Sequence, residues 1–137
     1  AFSGRLWAKI QVAQANNEKV KKSELKRLKD VKKSLTVIAK GVVDGRCDPA
    51  EGCIRITKLI NRFELIDKSD SKLEVLFEMY EKVADFKYLD ARKNLSKQQA
   101  FNEDRARLKI EDEYCDRLKV VSEGLLAMLE EINLEAN

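Results

Sequence analysis

The segment from Leu73 to Leu134 constrains the fold more than any other part of this chain. No glycine lies between Gly52 and Gly124, and the one proline is Pro49. Glycine and proline are the residues that most disfavour a helix interior, so the segment is free of strong helix breakers over most of its length. It predicts long helical structure in the second half of the chain.

Apolar residues recur at three- and four-residue steps at both ends of this segment, as on one face of a helix. They are Leu73, Leu76, Tyr80, Val83 and Tyr88 at the start and Leu108, Cys115, Leu118, Val121, Leu125, Met128 and Ile132 at the end. Residues 97–107 between them are almost wholly polar. The pattern predicts one long helix or two helices with a joint in residues 94–104, where Ser96 and Gln99 could restart a helix. Gly124 is predicted to mark a close helix crossing.

Two further helices are predicted before this segment. From Val20 to Val43, apolar residues step by three and four, and Asp44 with Gly45 ends the helix. The next helix begins at Asp48-Pro49-Ala50-Glu51, where the aspartate suits the N-cap, the proline suits the first position and Glu51 completes a capping box. It is predicted to end near Ile66. A second capping box is predicted at Ser71 and Glu74.

Residues 2–15 have the spacing of an amphipathic helix. Phe2, Leu6 and Ile10 share one face, and Trp7 lies at its margin. The segment predicts either a first core helix or a helix that lies in a membrane interface with Trp7 as its anchor.

Length and composition predict one all-α domain, residues 1–137, folded as an antiparallel bundle of four or five helices and partly elongated by its long C-terminal segment. The charged fraction is 37%, with 5 glycines and 1 proline. No apolar run approaches the roughly 20 residues of a transmembrane helix, and no signal-peptide core is evident, so we expect a cytoplasmic location. The 3 cysteines form no CxxC pair and are expected to be free thiols.

Charge is distributed unevenly along the chain. The first 46 residues hold 12 Lys and Arg against 4 acidic residues, and the remainder holds 15 against 20. Lysines follow the polar side of the helix predicted at residues 20–43. They either serve only to keep that face solvated or contact anionic lipid or nucleic acid. No aromatic residue lies between Trp7 and Phe63, which makes stacking on single-stranded nucleic acid the weaker interpretation.

The sequence offers little for catalysis. Histidine is absent, which excludes His-dependent triads and the commonest general base, and no glycine-rich phosphate loop occurs. The carboxylates of Glu111, Asp112 and Glu113, and those of Glu130 and Glu131, are expected to be solvated. We therefore expect no enzyme, no cofactor and no metal site.

Two stretches resemble BAR domains of the amphiphysin and endophilin type. They are FSGRLWAKIQVAQANNEKV at residues 2–20, which lysines follow, and KYLDARKNL at residues 87–95. The resemblance implies an antiparallel homodimer of long helices whose basic face binds curved anionic membranes. It implies Phe2, Leu6, Trp7 and Ile10 as membrane-inserting residues and Lys21, Lys22, Lys26 and Lys29 as contacts to lipid headgroups.

The sequence is compatible with three functions. The first is a non-enzymatic interaction module that binds an anionic membrane through residues 2–40 and scaffolds protein partners. The second is a protein-binding or inhibitory helical bundle of adaptor or immunity type. The third is a nucleic-acid accessory factor.

Overall fold

The computed structural model describes residues 18–135, and the predicted helix at residues 2–15 lies outside them. Within residues 18–135, four α-helices follow one another: α1 (Glu18–Val43), α2 (Pro49–Ile60), α3 (Glu74–Val83) and α4 (Lys97–Glu130). Two short 3-10 helices occupy Ser71–Leu73 and Leu89–Asn94, and residues 18–135 contain no β-strand. The all-α prediction is confirmed.

Helix α1 buries the apolar stripe that its sequence predicted. Leu28 and Leu35 are fully buried, and Val31, Ile38 and Val42 are at most 8% exposed. The helix ends at Val43, and Gly45 follows with a φ of 75°, a conformation that glycine adopts without a steric penalty. The predicted stop at Asp44-Gly45 is confirmed.

Helix α2 begins at Pro49 as predicted, but its predicted capping box is wrong. The Asp48 side chain makes no capping hydrogen bond. Instead the Ala50 N–H donates to Oε2 of Glu111 in α4, at 3.0 Å. The helix ends at Ile60, earlier than predicted, because the chain then turns while still burying Phe63, Leu65 and Ile66 against the core.

The long C-terminal segment is divided into α3 and α4 by a linker, residues 84–96. Ser96 Oγ accepts a hydrogen bond from the Gln99 N–H, and the Gln99 side chain accepts one from the Ser96 N–H, so the predicted restart is confirmed. Residues 102–104, at the far end of the region in which a joint was predicted, lie inside continuous helix. The capping box predicted at Ser71 is wrong, because Asp70 caps a 3-10 turn there and α3 starts only at Glu74.

Neighbouring helices run antiparallel, apart from α2 and α4. Lys32 of α1 lies against Ile132 just beyond α4, whereas Val42 near the end of α1 lies beside Leu118, so α1 and α4 run in opposite directions. The buried residues of all four helices form one core. The predicted antiparallel bundle with a long C-terminal helix is confirmed.

Helix α4 is longer than the bundle that it packs against. At 1.5 Å per residue its 34 residues span about 51 Å, compared with about 39 Å for the 26 residues of α1. Its buried positions begin only at Glu111. Residues 97–109, which we call the overhang, therefore extend past the α1–α2 turn and pack mainly against the linker.

Candidate interaction surfaces

Five lysines of α1 lie along the face turned away from the core. Their spacings of four, three, four and seven residues keep them on one side of an α-helix, opposite the fully buried Leu28, Leu35 and Ala39. The stripe covers about 27 Å of helix. We call it the lysine stripe; it consists of Lys22, Lys26, Lys29, Lys33 and Lys40.

Two other cations of α1 stabilise the fold instead. Arg27 donates to the carbonyl oxygen of Arg62 at 2.7 Å and to Glu64 Oε2 at 2.8 Å, which ties α1 to the segment that follows α2. Hydrogen bonds from Arg27 to Glu24 and Glu64 raise the pKa of its guanidinium. Lys32 Nζ donates to the carbonyl oxygen of Ile132 at 2.6 Å and so satisfies a free carbonyl beyond the end of α4.

The four lysines predicted to contact lipid headgroups do not all lie on this face. Lys22, Lys26 and Lys29 belong to the stripe. Lys21 lies two turns before the fully buried Leu28, on the core side of the helix, and is half-buried. The predicted membrane-inserting residues Phe2, Leu6, Trp7 and Ile10 lie outside the described residues.

The overhang presents two large apolar side chains to solvent. Phe101 is 55% exposed and Leu108 is 54% exposed, and their seven-residue separation puts them on the same flank of α4. The Arg105 guanidinium lies over the Phe101 ring, 5.8 Å from its centroid. Isolated exposed apolar residues are ordinary, but two on one exposed flank of the same helix define a surface that a partner could cover.

The linker contacts the overhang at Asp104, which lies next to this flank on the helix. Arg92 donates from both terminal nitrogens to the two carboxylate oxygens of Asp104, at 2.7 and 2.8 Å. This bidentate pair lowers the pKa of the Asp104 carboxyl. Residues 87–95, which carry the second part of the sequence resemblance, lie in this linker, and Leu89–Asn94 form its 3-10 helix.

The carboxylates expected to be solvated include one exception. Asp112, Glu113, Glu130 and Glu131 are exposed, but Glu111 is only 8% exposed and bonds to the start of α2. The expectation was wrong for Glu111, because this residue lies on the buried side of α4 and its side chain is directed at the first N–H groups of α2. Nothing local in the sequence indicates this contact across 61 residues.

The cysteines are free thiols, as expected. Cys53 is fully buried and donates to the Leu76 carbonyl oxygen at 3.3 Å, and burial raises the pKa of its thiol to about 12. Cys47 and Cys115 are half-buried and line a cleft of about 170 Å³ beside the α1–α2 turn. Residues 18–135 contain no group of three side chains placed to hold a metal ion.

Across the part of the chain that the structure describes, no helix combines the length and apolar character needed to cross a membrane. Two exposed faces of the described helices are candidates for contact with a partner: the lysine stripe and the exposed flank of the overhang.

Comparison with known proteins gives a family for the chain. No solved structure matches it. A protein of Haemophilus influenzae described as uncharacterized is 30% identical over 131 residues, which cover 96% of this chain and 84% of that protein. The profile of DUF2489, described as a protein of unknown function, matches residues 1–124. Because this match and the Haemophilus relative each extend over most of the sequence, the chain belongs to the DUF2489 family.

Proposed function

We propose that this protein is a non-enzymatic helical module that binds anionic membrane surfaces through the lysine stripe. The observation that carries the proposal is the register of the stripe: five ammonium groups follow one solvent-facing side of a single helix. A straight row of cations suits an extended anionic surface better than it suits a compact ligand. Each lysine near an anionic membrane contributes about 1 kcal/mol.

The core beneath the stripe supports this proposal. Helix α1 is fixed by a row of buried apolar residues and by Arg27, so its lysines do not depend on a partner for their alignment. The amphipathic segment at residues 2–15 precedes the stripe in sequence and contains Trp7, the one tryptophan of the chain. An apolar segment next to a basic helix combines two membrane-binding terms, burial and charge.

Vesicle binding followed by Trp7 fluorescence tests the proposal. We expect Trp7 emission to shift to shorter wavelength with anionic vesicles at low salt, and the shift to weaken as salt rises. A fourfold Lys→Gln variant of the stripe should bind at least about a hundredfold more weakly, since four lysines contribute about 4 kcal/mol together. The substituted residues are Lys22, Lys26, Lys33 and Lys40.

A charge-matched control variant separates the stripe from net charge. It carries Lys→Gln at four exposed lysines outside α1, namely Lys58, Lys68, Lys72 and Lys109. We expect it to bind within a few-fold of the native protein. Equal losses in both variants, or no binding of the native protein at low salt, would contradict the proposal. Stronger binding to duplex DNA than to vesicles would favour the nucleic-acid alternative.

A second candidate function, self-association, is favoured by the exposed flank of the overhang. In an antiparallel two-fold pairing, Phe101 faces the partner's Leu108, and the same register places Lys97 beside the partner's Asp112. Lys97 and Asp112 are both exposed, so the surface is complementary to itself in apolar character and in charge. The occupant that we propose for this surface is a second copy of the chain.

Light scattering after size exclusion tests self-association. We expect the native protein to dimerise at high micromolar concentration and the Phe101→Ser/Leu108→Ser variant to be monomeric. Val120→Ser removes a 68% exposed apolar residue elsewhere on α4 and should leave the dimer intact. Lys97→Glu should weaken the dimer, and Asp112→Lys added to it should restore the dimer. A native protein that stays monomeric would exclude this function.

A further inference from the structure

A cleft lies between the middle of α1 and the residues that follow α4. Its volume is about 360 Å³, at the lower end of the roughly 300–1,000 Å³ of small-molecule sites. Leu134, itself 3% exposed, anchors one wall. The polar lining consists of Lys29, Lys32, Lys33, Thr36 and Glu135.

The three lysines keep most of their hydrogen-bonding capacity. An ammonium group has three donors, and Lys32 uses one of them on the Ile132 carbonyl, a bond that also holds its side chain at the cleft. Lys29 lies 3.6 Å from Glu135 Oε2, too far for a good hydrogen bond. Lys33 is exposed and enters no salt bridge among those of residues 18–135.

The charge of the cleft is unbalanced. Among the residues that the structure describes, three ammonium groups line it, and Glu135 supplies the one carboxylate. The Glu135 side chain is 82% exposed and the Lys29 side chain 39% exposed, so their ion pair is screened by water and readily exchanged. The carboxylate therefore acts as a removable counter-ion.

We infer that this cleft binds a phosphate group, with Lys29, Lys32 and Lys33 as its ligands and Glu135 as the anion that the phosphate displaces. A phosphate carries close to two negative charges at neutral pH and three acceptor oxygens, which matches three separate ammonium donors better than one carboxylate does. The hydroxyl of Thr36 donates to the Lys32 carbonyl at 2.8 Å, so the lysines supply the donors.

This inference deepens the proposed function and rests on it where the phosphate belongs to a lipid. Val37, 60% exposed, also lines the cleft and adds an apolar contact next to the charges. A phosphomonoester headgroup at a membrane surface and free phosphate share the chemistry that the cleft recognises. The experiment therefore has one arm for each source.

The lipid arm compares vesicles of phosphatidic acid and of phosphatidylserine matched in zeta potential. We expect the native protein to bind phosphatidic acid about tenfold more tightly. Lys33→Gln should reduce that preference to near unity, whereas Lys40→Gln, on the same stripe but outside the cleft, should weaken binding to both lipids equally. Glu135→Gln should increase the preference, and Glu131→Gln, an exposed control beyond the end of α4, should not change it.

The free-phosphate arm uses amide NMR shifts with inorganic phosphate. We expect shifts confined to residues 29–36 and 132–135 and a lower Kd in Glu135→Gln. These shifts without any vesicle binding would support the cleft with free phosphate as its source and would contradict the membrane function. The phosphate site would be contradicted if the protein bound vesicles without preference for phosphatidic acid and if Lys33→Gln and Glu135→Gln left the affinities in both arms unchanged. The proposed membrane function would then remain.

Discussion

Glu111 provides, from a distant part of the chain, the cap that the start of α2 lacks locally. The first N–H groups of a helix have no partner within it, and an N-terminal proline removes only one of them. Asp48 is in the N-cap position but directs no oxygen at these groups, whereas Glu111 accepts from Ala50 at 3.0 Å in a buried position. One carboxylate thus joins the two ends of a 61-residue loop of chain.

Glu111→Ala should therefore cost more stability than Asp48→Ala. We expect a loss of about 1–2 kcal/mol for Glu111→Ala, because a buried N–H is left without its acceptor. Glu111→Gln keeps an oxygen acceptor and should lose less. Urea denaturation followed by circular dichroism measures all three variants. A larger loss for Asp48→Ala would show that the local aspartate is the effective cap.

Residue patterns in the sequence predicted several helix boundaries that depend on neighbours in the chain, although the capping boxes predicted at Asp48 and Ser71 do not form. The stop at Gly45, the start at Pro49 and the helix restart at Ser96 each need only a few adjacent residues, and the structure confirms all three. Contacts such as Glu111 with Ala50 or Lys32 with Ile132 join residues far apart in sequence. They depend on how the helices pack, which apolar spacing alone does not define.

At the scale of helices, the closest approach occurs at Gly52 and not at Gly124. A Cβ atom built at Gly52 would lie 2.5 Å from Val42 Cγ2 and 3.3 Å from Cys47 Sγ, so the α2 backbone packs directly on the end of α1. A Cβ atom at Gly124 would meet no heavy atom within 4 Å. The predicted close crossing at Gly124 is wrong, because that glycine lies beside the buried stripe of α4 and not within it.

The two glycines should respond oppositely to alanine. We expect Gly52→Ala to destabilise the protein by about 1–3 kcal/mol through overpacking against Val42. Gly124→Ala should stabilise it by up to about 1 kcal/mol, because it removes the backbone entropy cost of a glycine in a helix interior. Thermal and urea denaturation measure both changes.

A double-mutant cycle links the effect of Gly52 to its neighbour. If an alanine at position 52 clashes with the Val42 side chain, Val42→Ala should reduce the stability that Gly52→Ala costs. The stability losses of the two single variants should then sum to more than the loss of the double variant. Additive losses would instead place the strain at another contact of α2.

At the scale of the whole molecule, the position of the α3–α4 linker decides the shape. Apolar spacing favoured helix on both sides of residues 94–104 but left open whether they bend. Helix α3 already ends at Val83, and the Tyr88 hydroxyl donates to the Val83 carbonyl oxygen at 2.8 Å, so it satisfies a carbonyl group at the end of that helix. The linker then folds back along α4, so that the chain forms a compact bundle while the overhang remains helical beyond it.

The Arg92–Asp104 pair fastens the linker to the overhang, and we expect its loss to loosen that end of α4 alone. Arg92→Gln should speed hydrogen exchange of the amides in residues 97–107 several-fold and leave residues 114–129 unchanged, because the core is elsewhere. Lys93→Gln, which breaks a fully solvated pair with Asp90 in the same 3-10 helix, is the matched control and should have little effect.

The same pair predicts a direction for the pH dependence. Because Arg92 lowers the pKa of Asp104 in the folded state, the pair stabilises the overhang above the ordinary carboxyl pKa of about 3.9 and is lost as pH falls through the lower folded value. Carbonyl NMR titration should show the pKa of Asp104 rising towards its ordinary value in Arg92→Gln. An unchanged Asp104 pKa would mean that Arg92 is not the group that lowers it. Faster exchange spread evenly along α4 would mean that α4 opens as one unit and that the overhang is stabilised by the bundle and not by its linker.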